Sequence, residues 1–163
     1  MAESWKIKLL RWRFNWYPPF RNTGARIVSI SEDLLEACIR LPLNRSTRNP
    51  HGSIFGGAMY AAVDPLHAVL IAYHLGPNYH VWMKSATIDF RRPARSDLTA
   101  RIRVETHEFA ELREALKTND KIDRVFLLSL INADGEISAD VKVTVHIRNR
   151  RSHEPPMNKV VFS

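Results

Sequence analysis

The chain reads as an α+β protein in which an antiparallel sheet wraps around one long central helix, with an extra helix at the N-terminus. Three observations predict this. The run from Ile54 to Leu75 is apolar almost all round, the pattern of a helix buried on every side. The segments flanking it alternate apolar and polar residues with a period of two, as half-buried strands do. The order is helix, two strands, buried helix, four strands, without the strand–helix alternation of a doubly wound parallel sheet.

Trp5, Leu9, Trp12 and Trp16 recur at helical spacing, with Leu10 and Phe14 adjoining, and Lys6, Lys8, Arg11 and Arg13 form a basic back. Residues 1–20 are therefore an amphipathic helical unit, stopped by Tyr17-Pro18-Pro19-Phe20. Its Trp face is expected to pack onto its own domain; the competing reading is an anchor lying on a membrane surface. A single domain is expected over 21–151. Ala25 to Ile30 and Leu35 to Leu41 form a hairpin, the second strand placing Leu35, Ala37, Ile39 and Leu41 on one face. Asn44 to Ser53 is polar, carries Pro50 and Gly52, and is a loop. The central helix follows over Ile54 to Leu75 and stops at Gly76-Pro77. Strands are expected over Val81 to Phe90, Leu98 to Thr106, Val125 to Ile131 and Ile137 to Ile147. A short charged helix or helical loop, Glu108 to Lys117, lies between the second and third of these, and Asp134-Gly135 turns the last hairpin. Residues 152–163 read as a tail.

With 163 residues, 45% hydrophobic and 25% charged, the chain is long enough to bury a core without disulfides or metal. One cysteine, Cys38, excludes an intramolecular disulfide and a Cys-based zinc or iron–sulfur site. It lies off the Ala37–Ile39 face and reads as a small packing residue rather than a nucleophile. No apolar run is long enough to span a bilayer, and no signal peptide is visible, so a cytoplasmic location without integral membrane association is expected. The formal charge of +7 permits an anionic partner but names none. The Gly/aromatic strand motifs of single-strand binders are missing, so nucleic acid is not an expected partner.

The chemistry concentrates in Asn49 to Asp64, NPHGSIFGGAMYAAVD. Gly56 and Gly57 fall where the central helix begins, and a helix start carries free N–H groups and partial positive charge. Glycine there admits close approach of a substrate oxygen, which such N–H groups polarise. The bland alternative is close packing. Asp64 lies two turns on from Gly57, on the same face but about 10 Å up the axis. One substrate carbonyl can hardly touch both on one helix, so the spacing hints at a site shared between antiparallel helices of a symmetric dimer. The competing reading has Asp64 capping a helix restarted by Pro65. Asn49 reads equally as a turn residue and His51 as a solvated loop histidine. His67 can pair with Asp64 at i, i+3. His67 and His74 lack the further ligands that a metal site needs.

Asn49, Gly52, Gly56-Gly57 and Asp64 resemble the N-x-x-G-x-x-H-G-G-x(6)-D pattern of hot-dog-fold acyl-CoA thioesterases of the phenylacetyl-CoA thioesterase type. Trp16 to Phe20, Asp64-Pro65, Val81-Trp82 with Lys84, Phe90 to Pro93 and Ile147-Arg148 resemble a bacterial branch of that superfamily, the tetrameric acyl-CoA thioesterase-like group described as a domain of unknown function. The resemblance runs over roughly residues 9 to 150. It implies a hot-dog fold and hydrolysis of an acyl thioester by activated water at a subunit interface. Gly57 would donate its N–H to the thioester carbonyl. Asp64 of the partner would serve as general base or nucleophile, and Asn49 would hold water or the carbonyl. Two positions depart from the family: Phe55 stands where the pattern has His, and Met83 where the branch often has an acid. Gly56, His51 and Phe55 are expected near the substrate. Arg91, Arg92 and Arg95, with a second cluster at Arg148, Arg150 and Arg151, could bind the phosphates of coenzyme A. No metal is expected, and no cofactor beyond coenzyme A as part of the substrate. The expected partners are an acyl-CoA or other acyl thioester and further copies of the chain, as homodimer or tetramer. The alternative is a non-catalytic acyl-CoA or lipid-binding protein of the same fold.

Overall fold

The structure, a computed structural model, describes residues 3–150. The expected tail over 152–163, and Arg151, lie outside the described residues. Six strands form one antiparallel sheet: β1 (Arg26–Ile30), β2 (Glu36–Leu41), β3 (Tyr79–Phe90), β4 (Leu98–Arg103), β5 (Lys121–Ile131) and β6 (Ile137–Asn149). Their order across the sheet is β1-β2-β4-β5-β6-β3. Helix α1 (Trp5–Trp16) and a four-residue turn of helix α2 (Pro18–Arg21) precede the sheet. Pro18 ends α1 and starts α2, because a fixed φ and a missing N–H suit the first helical position.

The alternation that predicted the strands is the burial pattern observed. Leu98, Ala100 and Ile102 on β4 and Ala139, Val141, Val143, Val145 and Ile147 on β6 are all buried. They face the central helix, whose Met59, Ala62, Val63, Leu66, Leu70 and Ile71 complete the core.

Four details differ from the expectation. The central helix is two segments, α3 (Gly56–Val63) and α4 (Leu66–Leu75), joined by Asp64 and Pro65 in helical backbone conformation. Proline has no N–H to give to the preceding turn, so the hydrogen-bond ladder breaks there. The helix also starts at Gly56 rather than Ile54, since Ile54 bridges Arg48 and Phe55 is extended. β4 stops at Arg103 because Glu105 and Glu108 form a capping box that opens α5 (Thr106–Thr118). The charged segment is thus a full helix, buried on Phe109, Leu112 and Leu116. β5 is longer than expected, its first half carrying exposed Lys121 and half-exposed Asp123 and Arg124 side chains.

The fourth difference is at α1. Ile7 and Phe14 are buried and Leu10 packs on the core, while Trp5, Leu9, Trp12 and Trp16 are exposed. The expected packing of the Trp face is therefore inverted. The helix is fixed by its other side, where polar groups seal the free edge of β1. The Asn15 side chain donates to the Ile27 carbonyl at 2.9 Å and accepts from the Ile27 N–H at 2.8 Å. Glu3 accepts from the Ile30 N–H at 3.1 Å. Unsatisfied edge groups recruit such partners, and that demand outranks burial of the tryptophans.

Candidate functional site

The loop before α3 is braced from within. Asn49 accepts from the His51 and Ser53 N–H groups at 2.9 and 3.2 Å and donates to Ser53 Oγ at 2.9 Å. Gly52 takes φ +79°, which only glycine adopts freely. The Ile54 N–H donates to the Ala94 carbonyl and the Phe55 N–H to the Thr47 carbonyl. The Ala58 and Met59 N–H groups both go to the Phe55 carbonyl, at 2.9 and 3.2 Å. The N–H groups of Gly56 and Gly57 are left without a hydrogen-bond partner among the described residues, as a helix start requires.

Two aromatic rings lie over these glycines. A Cβ on Gly56 would meet Phe90 Cζ at 2.8 Å, and one on Gly57 would meet Phe55 Cε1 closer still. Both contacts are with outer ring atoms, so a substitution would displace a ring rather than the backbone. Gly56 opens into a cleft of about 430 Å³ that also gathers Asn49, Phe90, Arg91 and Arg92. Gly57 and Phe55 form its exposed shoulder. His51 and Arg95 sit on the outer loop, with Arg95 Nη1 3.4 Å from the His51 carbonyl. Phe90 and Ser53 escaped the sequence reading, although Phe90 lay inside one of the quoted motifs.

The cations beside the cleft are already engaged. Arg91 Nε donates to Asp140 at 2.8 Å, and Arg92 pairs with Glu136. The Ser129 hydroxyl and the Arg91 guanidinium together hold the Asp140 carboxyl below its ordinary range. The remaining guanidinium donors can still reach an anion. The second cluster, Arg148 and Arg150, is at the opposite end of β3, where Tyr79 pairs with Asn149. At ~3.3 Å per residue, the two clusters stand roughly 35 Å apart.

Asp64 is elsewhere. It is half-buried in a second cleft of about 430 Å³, walled by Tyr17, Phe20, Tyr60 and Pro65. Tyr60 precedes it by one helical turn, a signal readable from spacing alone. Burial pushes the Asp64 carboxyl up, and no cation among the described residues offsets this. Asp64 does not cap α4, which starts without a side-chain cap. It also does not pair with His67, contrary to expectation. That ring turns toward the sheet and stacks on Phe126 at a centroid distance of 4.9 Å. His67 is 1% exposed, its Nδ1 has no hydrogen-bond partner, and burial lowers its pKa to about 4. Among the described residues no three His, Cys, Asp or Glu side chains converge as a metal set. Burial pushes the Cys38 thiol up, which disfavours the nucleophilic thiolate.

The site residues therefore divide. Asn49, Gly56, Arg91 and Arg92 share the cleft at the helix start, while Asp64 lies in a cleft that shares no lining residue with it. The described helices include none long and apolar enough to cross a membrane.

Residues 8–155 match the family model of DUF4442, a domain of unknown function. No curated protein gives a significant match. Among solved structures, a Pseudomonas aeruginosa protein of unknown function, PA5026, described as a "Probable Thioesterase", superposes with a TM-score of 0.77 at 20% identity, over 88% of this chain and 95% of that one. Thioesterase HI1161 of Haemophilus influenzae gives 0.67 at 16% identity, over 93% and 97%. The E. coli PaaI protein of the phenylacetic acid degradation operon gives 0.60 at 19% identity, over 88% and 96%. Sequence, topology and these superpositions agree: the chain belongs to the DUF4442 family and has the hot-dog fold of these thioesterase-like proteins.

Proposed function

We propose that the protein hydrolyses an acyl thioester, an acyl-CoA or a related carrier thioester, at a site built from two copies of the chain. One observation carries the reading. A single apolar helix bears open N–H donors at its start and, two turns on, a desolvated carboxylate with no cation beside it. A thioester carbonyl at the helix start would be polarised by the Gly57 N–H, with the adjoining rings of Phe55 and Phe90 lowering the local dielectric. Asp64 of the second copy would take a proton from water as that water adds to the carbonyl, or would itself add as nucleophile. On the general-base route, collapse of the tetrahedral species breaks the C–S bond, and the proton held by Asp64 passes to the departing thiolate, giving carboxylic acid and thiol. On the nucleophilic route the thiolate leaves first, and water then hydrolyses the mixed anhydride with Asp64, regenerating its carboxylate. A carboxyl raised by burial is a stronger base than an ordinary aspartate. Arg91 and Arg92 would meet the coenzyme A phosphates. The likeness to proteins named thioesterases supports this reading at the level of the fold. On this reading the protein works in the cytoplasm, as a homodimer or tetramer.

The test is hydrolysis of short, long, branched and aromatic acyl-CoAs by the native chain and by Asp64→Ala, followed as release of free thiol. The native protein turns over at least one class. Asp64→Ala loses about 10²–10⁴-fold in rate while keeping its size in solution. Full activity in Asp64→Ala rejects the mechanism. A second reading is favoured by Phe55, whose ring covers Gly57 where the family pattern has histidine: tight acyl-CoA binding without turnover.

A further inference from the structure

We propose that α1 docks the folded protein on the surface of an anionic lipid bilayer, through its outward tryptophan face. The helix has two apolar faces. Ile7, Leu10 and Phe14 hold it to the core. At ~100° per residue, Trp5, Leu9, Trp12 and Trp16 fall within about 60° of arc on the opposite side. Trp5, Trp12 and Trp16 are 70%, 57% and 53% exposed. Asn15 and Glu3 lock the helix to the β1 edge, so these rings are presented outward by a fixed scaffold rather than a loose segment.

Charge identifies the occupant. Helix α1 carries four cations and no acid. Lys6 and Arg13 flank one side of the stripe, and Lys8 and Arg11 the other. Arg21 adds its guanidinium 4.5 Å from the Trp16 ring. Glu3 pairs with Arg11 at 2.9 Å and accepts from the Ile30 N–H, and Glu32 accepts from the Ser4 N–H, while Lys6, Lys8, Arg13 and Arg21 have no ion-pair partner among the described residues. An aromatic ridge between two basic flanks suits the headgroup layer of an anionic membrane, where indole rings settle and phosphates face the cations. Against the same helix of a second copy, those flanks would repel.

The experiment uses the full chain and sedimentation with vesicles of phosphatidylcholine alone or mixed with phosphatidylglycerol. Sedimentation is paired with tryptophan emission of Trp82→Phe, whose three remaining tryptophans all lie on the stripe. The expected result is binding to the anionic vesicles, a blue shift on binding, and at least about tenfold weaker binding to phosphatidylcholine. The triple variant Trp5→Ser, Trp12→Ser, Trp16→Ser loses about tenfold or more in vesicle affinity, with its oligomeric size unchanged. Lys6→Glu with Lys8→Glu does the same. No binding to anionic vesicles, binding unmoved by the triple variant, or a triple variant that changes oligomeric size would each overturn the proposal. The last outcome would make the face an interface between copies.

Discussion

The two ends of α3 are built from one stretch of sequence, yet they are chemical opposites. At the start, loop bracing leaves two N–H donors open, two rings close over them, and Arg91 and Arg92 bring positive charge to the cleft. At the break before α4, Pro65 interrupts the ladder and Asp64 faces tyrosines and Phe20, with its charge uncompensated. One end can stabilise developing negative charge and the other can accept a proton. Their separation along the helix is what the proposed two-copy site is built on.

The sharpest way to break that comparison is complementation. Gly57→Pro removes the donor at a first-turn position that tolerates proline, and should lower kcat about 10²–10³-fold. Asp64→Ala removes the other half. Coexpressed, the two inactive chains should recover about a quarter of native activity, because half of randomly assorted dimers contain one intact site of two. No recovery above the single variants would place both groups in one copy's own site.

The next largest effect concerns Asp64 and His67, neighbours on the helix axis that burial moves in opposite directions, each toward its neutral form. The folded-state pKa of His67 is lowered from 6.5 to about 4. The unfolded chain therefore takes up a proton that the folded chain refuses, and stability is lost as pH falls from 6.5 toward 4. At about 1.4 kcal/mol per unit this amounts to roughly 3 kcal/mol. Urea midpoints at pH 7 and pH 4.5 measure it, and His67→Leu should flatten the slope. For Asp64, the acid limb of the rate profile in that same variant should fall above the ordinary aspartate value.

The smallest effect is at the arginines. Arg91→Gln and Arg92→Gln should each raise KM for an acyl-CoA only a few-fold without changing kcat. Their exposed pairs with Asp140 and Glu136 contribute little, and coenzyme A must compete with those carboxylates. An unchanged KM would leave the clusters as surface charge.

Much of the fold was readable because strict alternation, as in Ala139 to Ile147, has one physical cause. The first half of β5 was hidden by its charged residues, and α5 was readable as a charged helical segment whose full extent the sparseness of Phe109, Leu112 and Leu116 left open. Helix α1 misled for another reason. Both its faces are apolar, and hydrogen bonds to a strand edge, invisible in one dimension, chose between them. The division of the candidate site was readable from helix rise alone. The meeting of Phe90, Arg91 and Arg92 with Asn49 and Gly56 was not, since those groups converge only when the chain leaves the end of β3 beside the helix start.

The place of β3 at the far edge of the sheet has a consequence for biosynthesis. Its sheet neighbour is β6, with Phe90 opposite Ala139 and Tyr79 opposite Asn149. β6 also pairs along the length of β5. A growing chain must therefore carry β3 and β5 without their common partner until β6 has been made, with the apolar central helix uncovered on that side. Such non-local closure makes folding slow and leaves the waiting strands open to chaperones or to aggregation. Shortening the chain into β6 removes two strand pairings at once, so the synthesis of β6 decides whether β3 joins the sheet at all.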